Sequence, residues 1–361
     1  MSGKQISNKA ALFAVAMALA VGFITSLAVR PVHIGTSQSL DSSETQSASQ
    51  VRVRWRVPVV FQTTWPVLGD NPVYVSQMIK DASRGAFLLD IFEPNEIVPP
   101  FSITDAVRDQ KIEAGYTWLG YDQGKIPASA LVGAVPFGME PWEYSAWWFE
   151  GNGKNLTETL YEKHNIHPIF CGMTGPETAG WFRKPIQSLE DLKGLKIRFA
   201  GLGGKVIEQL GASVTMLPGS EIFQALEKGA IDATEFALPI VDQQLGFDRV
   251  AKYNYYPGWH QPFTASHLIV NLTTWDSLDS NDQSLLELAC TAGVIRNLSS
   301  SEGKQGAIVA RFEETGALPR VLSLEILREL ERVTKRVLEQ EAERDKDFAV
   351  IYESQLEFRQ N

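Results

Sequence analysis

The chain of 361 residues is poor in cysteine, poor in histidine and without any excess of positive charge. Its two cysteines, Cys171 and Cys290, match no zinc spacing and are too few for a disulfide-built scaffold. Two buried free thiols are the expectation, and a single bond between them is the alternative. Of five histidines, His164 and His167 stand three apart. The adjoining Pro168 and the lack of a third ligand nearby make them a surface turn rather than a metal pair. Lys and Arg total 33 against 43 Asp and Glu, a net charge of -10, and no basic stripe interrupts that balance. Nucleic acid is thereby excluded as the main partner. No Walker loop, metalloprotease helix or nucleophile elbow occurs. Gly201-Leu202-Gly203-Gly204 has Val206 where a dinucleotide loop needs a small residue, so it reads as a plain turn before a helix.

What is present is globular: 44% hydrophobic, 10% aromatic and 21% charged residues, in a length that accommodates two domains. Residues 10–29 are uncharged and mostly apolar, preceded by Lys4 and Lys9 and closed by Arg30. Such a run suits an export signal or a membrane anchor with its basic end in the cytoplasm, and Ser26 and Ala28 offer a small-x-small cleavage site. A polar stretch rich in Ser, Thr and Gln follows, so residues 1–50 are read as an address plus a spacer. The folded body is then expected to begin near Val51, outside the cytoplasmic membrane, where an NADH- or ATP-driven enzyme would lack its cofactor supply.

Within that body, residues 51–57 alternate apolar and polar, residues 72–85 carry helical spacing, and residues 87–92 are a short apolar run: strand, helix, strand. Tyr116, Trp118 and Tyr121 lie in a Gly-rich aromatic stretch; Trp142, Tyr144, Trp147, Trp148 and Phe149 are read as core, with the lining of an apolar groove as the alternative. From Gly194 to Phe236 short strands and Gly-stopped helices alternate, which implies an α/β domain with a largely parallel sheet and ligands at its strand ends. The tail changes to amphipathic helices, residues 280–314 and 322–338. They either pack on the chain's own core, brace two lobes, or exchange with a partner subunit.

Three charged residues stand out by position. Glu177 follows the turn Gly175-Pro176, Arg198 lies in the alternating strand Lys196-Ile197-Arg198-Phe199, and Glu235 ends an apolar strand. They are binding groups, or surface charges and an ion pair. Tyr255-Tyr256-Pro257-Gly258-Trp259-His260-Gln261 adds rings with polar tips.

Four stretches resemble one family. They are Gly175-Pro176-Glu177-Thr178-Ala179-Gly180-Trp181-Phe182-Arg183-Lys184-Pro185-Ile186, Leu192-Lys193-Gly194-Leu195-Lys196-Ile197-Arg198, Leu226-Glu227-Lys228-Gly229-Ala230-Ile231-Asp232-Ala233-Thr234-Glu235, and Tyr256-Pro257-Gly258-Trp259-His260. Jointly they resemble the solute-binding subunit of tripartite ATP-independent periplasmic (TRAP) transporters, in the branch that binds 2-oxo and 2-hydroxy monocarboxylates. The resemblance implies a two-lobed α/β binding-protein fold with long bracing helices and a helical C-terminal tail. Lobe 1 would be residues 51–174 completed by part of 266–320, lobe 2 residues 175–265, and the hinge and tail residues 266–361.

It further implies that Arg198 pairs the substrate carboxylate, a role suited to a planar guanidinium fork. Glu177, Tyr121, Trp118, Phe236 and Trp259 would complete the substrate site. A cation would be held by Glu177, Glu235, the Phe236 carbonyl and Gln261, all hard oxygen donors. The branch commonly has glutamine at 177 and tryptophan at 236. With Glu177 ionised, three negative charges, counting the ligand, face one arginine, so Ca²⁺ is expected rather than Na⁺. The partners implied are a small carboxylate and the membrane permease, with a homodimer through the C-terminal helices as a further option. Without a metal, Glu177 and Glu235 would instead grip an ammonium, making an amino-acid binder. The rival from another class is a secreted hydrolase with Glu177 and Glu235 as acid and base.

Overall fold

The computed structural model describes residues 50–360. The expected export segment, residues 10–29, and nearly all of the polar spacer lie outside the described residues. Among those described, no helix is long and apolar enough to cross a membrane.

β1 (Val53–Pro58) follows its alternation: Trp55 and Val57 are buried, while Arg54 and Arg56 reach outward to Asp90 and Glu113. The helix Asp70–Ala82 returns the chain to β2 (Phe87–Phe92), which pairs parallel with β1. The bridge between Val59 and Tyr116 links this pair to β3 (Ala114–Trp118). β3 lies on one side of β10 (Thr264–Asn271) and β4 (Ile166–Thr174) on the other, both antiparallel to it.

A second sheet is built from β5 (Gly180–Phe182), β6 (Lys196–Arg198), β7 (Ser213–Thr215), β8 (Ala233–Thr234), β9 (Tyr253–Tyr255) and β11 (Leu318–Arg320). Its order is β11-β9-β5-β8-β6-β7. The expected parallel character holds where strands and helices alternate, at β6 with β7 and with β8. It fails at β5, which is antiparallel to β8 and β9 because it enters from the first sheet rather than through a crossover helix.

The chain passes from one sheet to the other three times: between β4 and β5, between β9 and β10, and through the long helix Ser280–Val309. The first two passages are hydrogen-bonded to each other, Gly258 N to Glu177 O at 2.7 Å and Glu177 N to Gln261 O at 3.2 Å. The long helix braces them, Ser301 Oγ accepting from Gly175 N at 2.9 Å and Gln305 Nε2 donating to Pro176 O at 3.2 Å. The same helix is tied to β4 by a disulfide between Cys290 and Cys171, which corrects the expectation of free thiols. The two sulfurs meet because β4 lies against this helix, a proximity across 119 residues that no local pattern encodes. A disulfide also agrees with an oxidising compartment.

Tyr144, Trp147 and Trp148 are buried as expected, whereas Trp142 and Phe149 are exposed. His167 is no surface turn: it lies in β4, buried and stacked on Trp275. The glycines 201, 203 and 204 are not a turn either, but begin the helix Gly201–Gln209. In the tail, Ile326, Leu330, Val333 and Val337 of the helix Leu324–Arg344 pack beside Phe199 and Val206. Phe348 and Ile351 of a further helix, Lys346–Gln360, join the core around Trp147. The apolar stripes of both helices are thus used within the chain.

Candidate binding site at the sheet crossings

Arg198 closes β6, in register with Thr234 of β8, so Glu235 leaves its strand beside the guanidinium. Arg198 Nη1 donates to the Glu235 carbonyl at 2.7 Å and to its Oε2 at 2.9 Å, and Nε donates to Leu217 O at 3.2 Å. Glu235 Oε2 also accepts from Ala200 N at 3.1 Å, at the start of the helix Gly201–Gln209. Both side chains are 1% exposed. Arg198 Nη2, although buried, has no hydrogen-bond partner. A buried guanidinium nitrogen left unpaired is costly, so an acceptor placed beside it would be favoured.

The two hydrogen-bonded crossings bring the other acid to the same place. Glu177 sits on the first, and its Oε1 accepts from Thr264 Oγ1, which accepts from Gln261 Nε2 at 3.0 Å. Its second oxygen, Oε2, is buried and unpartnered. His260, on the second crossing, places Nε2 3.4 Å from Glu235 Oε1 and 3.6 Å from Glu177 Oε2. One donor atom from each of Glu177, Glu235 and His260 lies within 4.8 Å of the others, a set fit for a cation.

Electrostatics follow from this packing. Burial opposes ionisation of Glu235, but Arg198, His260 and the Ala200 N–H outweigh it and hold the carboxyl below its usual range. Burial pushes the Glu177 carboxyl up, with Glu235 adding to the rise and His260 opposing it. Burial alone would lower the His260 imidazole, yet the two carboxylates raise it. The structure thus sets the His260 ring between two acids that favour its protonation, and a cation bound to those acids would oppose that protonation.

Glu177, Arg198 and Glu235 line a small pocket, about 10 Å³ of free space, whose apolar wall is Phe61, Leu68, Trp118, Tyr121 and Phe236. Trp118 and Tyr121 meet edge to face at 4.8 Å. An added Cβ at Gly120 would come within 2.3 Å of the Trp118 ring, at Gly133 within 2.7 Å, and at Gly201 at 3.0 Å, where φ is also +67°. Gly203 in turn leaves room for Phe199 and the Cβ of His260. The glycine run therefore serves ring packing around the cavity, not phosphate binding.

Of the residues expected from sequence, Arg198, Glu177, Glu235, Phe236, Gln261, Trp118 and Tyr121 are brought together. Trp259 is not: it stacks on Phe137 and Phe199 in a neighbouring core. Phe61, Leu68 and Thr264 carried no sequence signal. His260 was visible as a polar-tipped ring beside Gln261, but its place between two acids arises only in the fold.

The pattern defining bacterial extracellular solute-binding protein family 7 matches residues 65–345. The chain belongs to that family. Across 85% of its length this family 7 protein is 35% identical over 310 residues to a monocarboxylate 2-oxoacid-binding periplasmic protein of Nostoc sp., covering 84% of that relative. Among solved structures it resembles a TRAP transporter solute-binding protein of Bordetella bronchiseptica, with a TM-score of 0.84 and 29% identity over 85% of this chain and 92% of that one. That structure is a mixed-occupancy dimer with copurified calcium and picolinate in one active site. A TRAP periplasmic solute-binding protein of Pseudoalteromonas atlantica, with bound sodium and pyruvate, matches with a TM-score of 0.83 and 31% identity over 86% of this chain and 94% of that one. This family 7 protein is thus a two-lobed α/β solute-binding protein of a TRAP transporter, a binder and not an enzyme.

Proposed function

We propose that the protein captures a small 2-oxo or 2-hydroxy monocarboxylate, of the size of pyruvate, together with a Ca²⁺ ion, and delivers it to the TRAP permease. The observation that carries this reading is the buried, unpartnered Arg198 Nη2 facing a cavity that also holds Glu177 and Glu235. In this reading Arg198 binds the substrate carboxylate, Trp118, Tyr121 and Phe236 exclude water from it, and Trp259 supports the site from behind. Glu177, Glu235, the Phe236 carbonyl and Gln261 hold the ion, with neutral His260 beside it. The ion neutralises charge that the arginine alone leaves unbalanced and gives the guest's oxygens a hard partner. The relatives that bind calcium with picolinate and sodium with pyruvate support an ion bound together with the guest.

Lobe 1 is read as residues 51–174 with part of 266–320, and lobe 2 as residues 175–265. Closure about the crossings at Glu177 and His260 would desolvate the guest, and the permease would recognise the closed form. Residues 10–29 are assigned to export, with retention as a membrane anchor in the uncleaved form. A homodimer would use the outer faces of the tail helices, where Val350 and Leu356 are exposed; sedimentation of the purified protein checks it.

A thermal-shift screen of 2-oxo acids, 2-hydroxy acids and amino acids, each with calcium or with chelator, tests the reading. Saturable stabilisation by 2-oxo or 2-hydroxy acids, lost with chelator, supports it. Stabilisation only by amino acids and unaffected by chelator would replace it with the ammonium reading.

A further inference from the structure

A second cluster of cation ligands stands apart from this site, where three elements meet. Glu158 lies on the helix Gly153–Glu162, His167 on β4, and Glu287 on the helix Ser280–Val309. One donor atom from each lies within 4.8 Å of the others. His167 supplies the independent indication. Its side chain is only 8% exposed, its Nε2 is buried with no hydrogen-bond partner, and that atom lies 3.9 Å from Glu158 Oε1. The ring is stacked on Trp275 with centroids 3.9 Å apart and an angle of 12°, so its edge is held in a fixed direction.

We infer that Glu158, His167 and Glu287 form a second divalent-metal site, suited to Zn²⁺ or a similar transition ion. One imidazole nitrogen with two carboxylates is a donor set for zinc-like ions rather than for calcium, which prefers oxygen throughout. Lys154 marks the place a cation takes: its Nζ lies 2.8 Å from Glu287 Oε1 and 3.7 Å from Glu158 Oε1. An arriving ion would displace that ammonium, which can swing into the adjoining surface cleft bordered by Trp148, Leu288 and Thr291. The fourth position opens to the same cleft and would hold water. Bound metal would fasten both helices to β4. Glu287 lies one helical turn from the Cys290 anchor of the disulfide, so the ion would extend an existing brace.

The test is zinc-edge anomalous scattering from crystals grown with ZnCl₂, combined with Zn²⁺ titration of the full folded protein. The expected result is an anomalous peak about 2.0–2.1 Å from His167 Nε2, with Lys154 moved away. Glu287→Gln, at a partly exposed position, should weaken Zn²⁺ binding at this site by about tenfold or more. Lys154→Met should strengthen it, and neither change should alter pyruvate binding in calcium. Zinc found only among Glu177, Glu235 and His260, or Zn²⁺ binding indifferent to both substitutions, would overturn the inference.

Discussion

Arg198 is bonded to Glu235 twice, once to its carboxylate and once to its carbonyl, and both contacts use the same nitrogen, Nη1. The pairing therefore fixes the guanidinium plane while leaving Nη2 unpaired, where the proposed carboxylate would bind. Arg198→Lys keeps the charge but loses the fork. Titration calorimetry with pyruvate and calcium should show a loss of about 2–5 kcal/mol in binding. Affinity equal to that of the unaltered protein would mean that Nη2 does not meet the carboxylate.

In the proposed reading Glu177 sets the charge of the ion site. With His260 neutral beside a bound ion, Glu177, Glu235 and the guest carboxylate carry three negative charges against Arg198, and a divalent ion restores neutrality. Glu177→Gln removes one of those charges without changing the side chain's shape, so a monovalent ion then suffices. Pyruvate binding by the variant should survive chelation of calcium when sodium is present. A variant still needing calcium would refute the charge argument.

Trp118 reaches the cavity only because Gly120 carries no Cβ. Gly120→Ala should force the ring out of its seat and destabilise the fold by about 1–3 kcal/mol, the usual cost of overpacking. Thermal unfolding should show the loss, and pyruvate affinity should fall with it as the ring enters the cavity. Unchanged melting and binding would show that Trp118 has slack the structure does not display.

His267 of β10 lies buried between Trp148 and Phe170 with neither ring nitrogen hydrogen-bonded. Burial lowers its pKa to about 3, whereas an unfolded histidine titrates near 6.5. Unfolding therefore takes up a proton between those values. The histidine's contribution to stability is complete above about pH 6.5 and is lost as the pH falls toward 3. His267→Leu should flatten this part of the stability profile in denaturant titrations across pH 4–7. A variant with the same acid slope as the unaltered protein would assign that slope to other groups.

How much was legible in the sequence differs by element. Alternation at 196–199 located β6, and an apolar run ending in an acid located Glu235, because both signals are local. The long tail helices were legible from their apolar spacing, although the break at Asp345, where the backbone turns extended, was not. The antiparallel β5, the Cys171–Cys290 pair and the seat of His260 depend on passages between sheets, which leave no mark in short windows. The glycines at 201, 203 and 204 misled for a physical reason: glycine is a poor helix former, and here the need to admit Trp118 and His260 outweighs that propensity.

Arg198 and the two acids are proposed to hold an organic anion and a cation jointly. A crystal structure of the protein with pyruvate and calcium tests it most directly. The pyruvate carboxylate should lie within hydrogen-bond distance of Arg198 Nη2, with an ion ligated by Glu177 and Glu235. Pyruvate bound elsewhere, or a cavity in which His260 still stands between the two acids with no ion beside the guest, would contradict it.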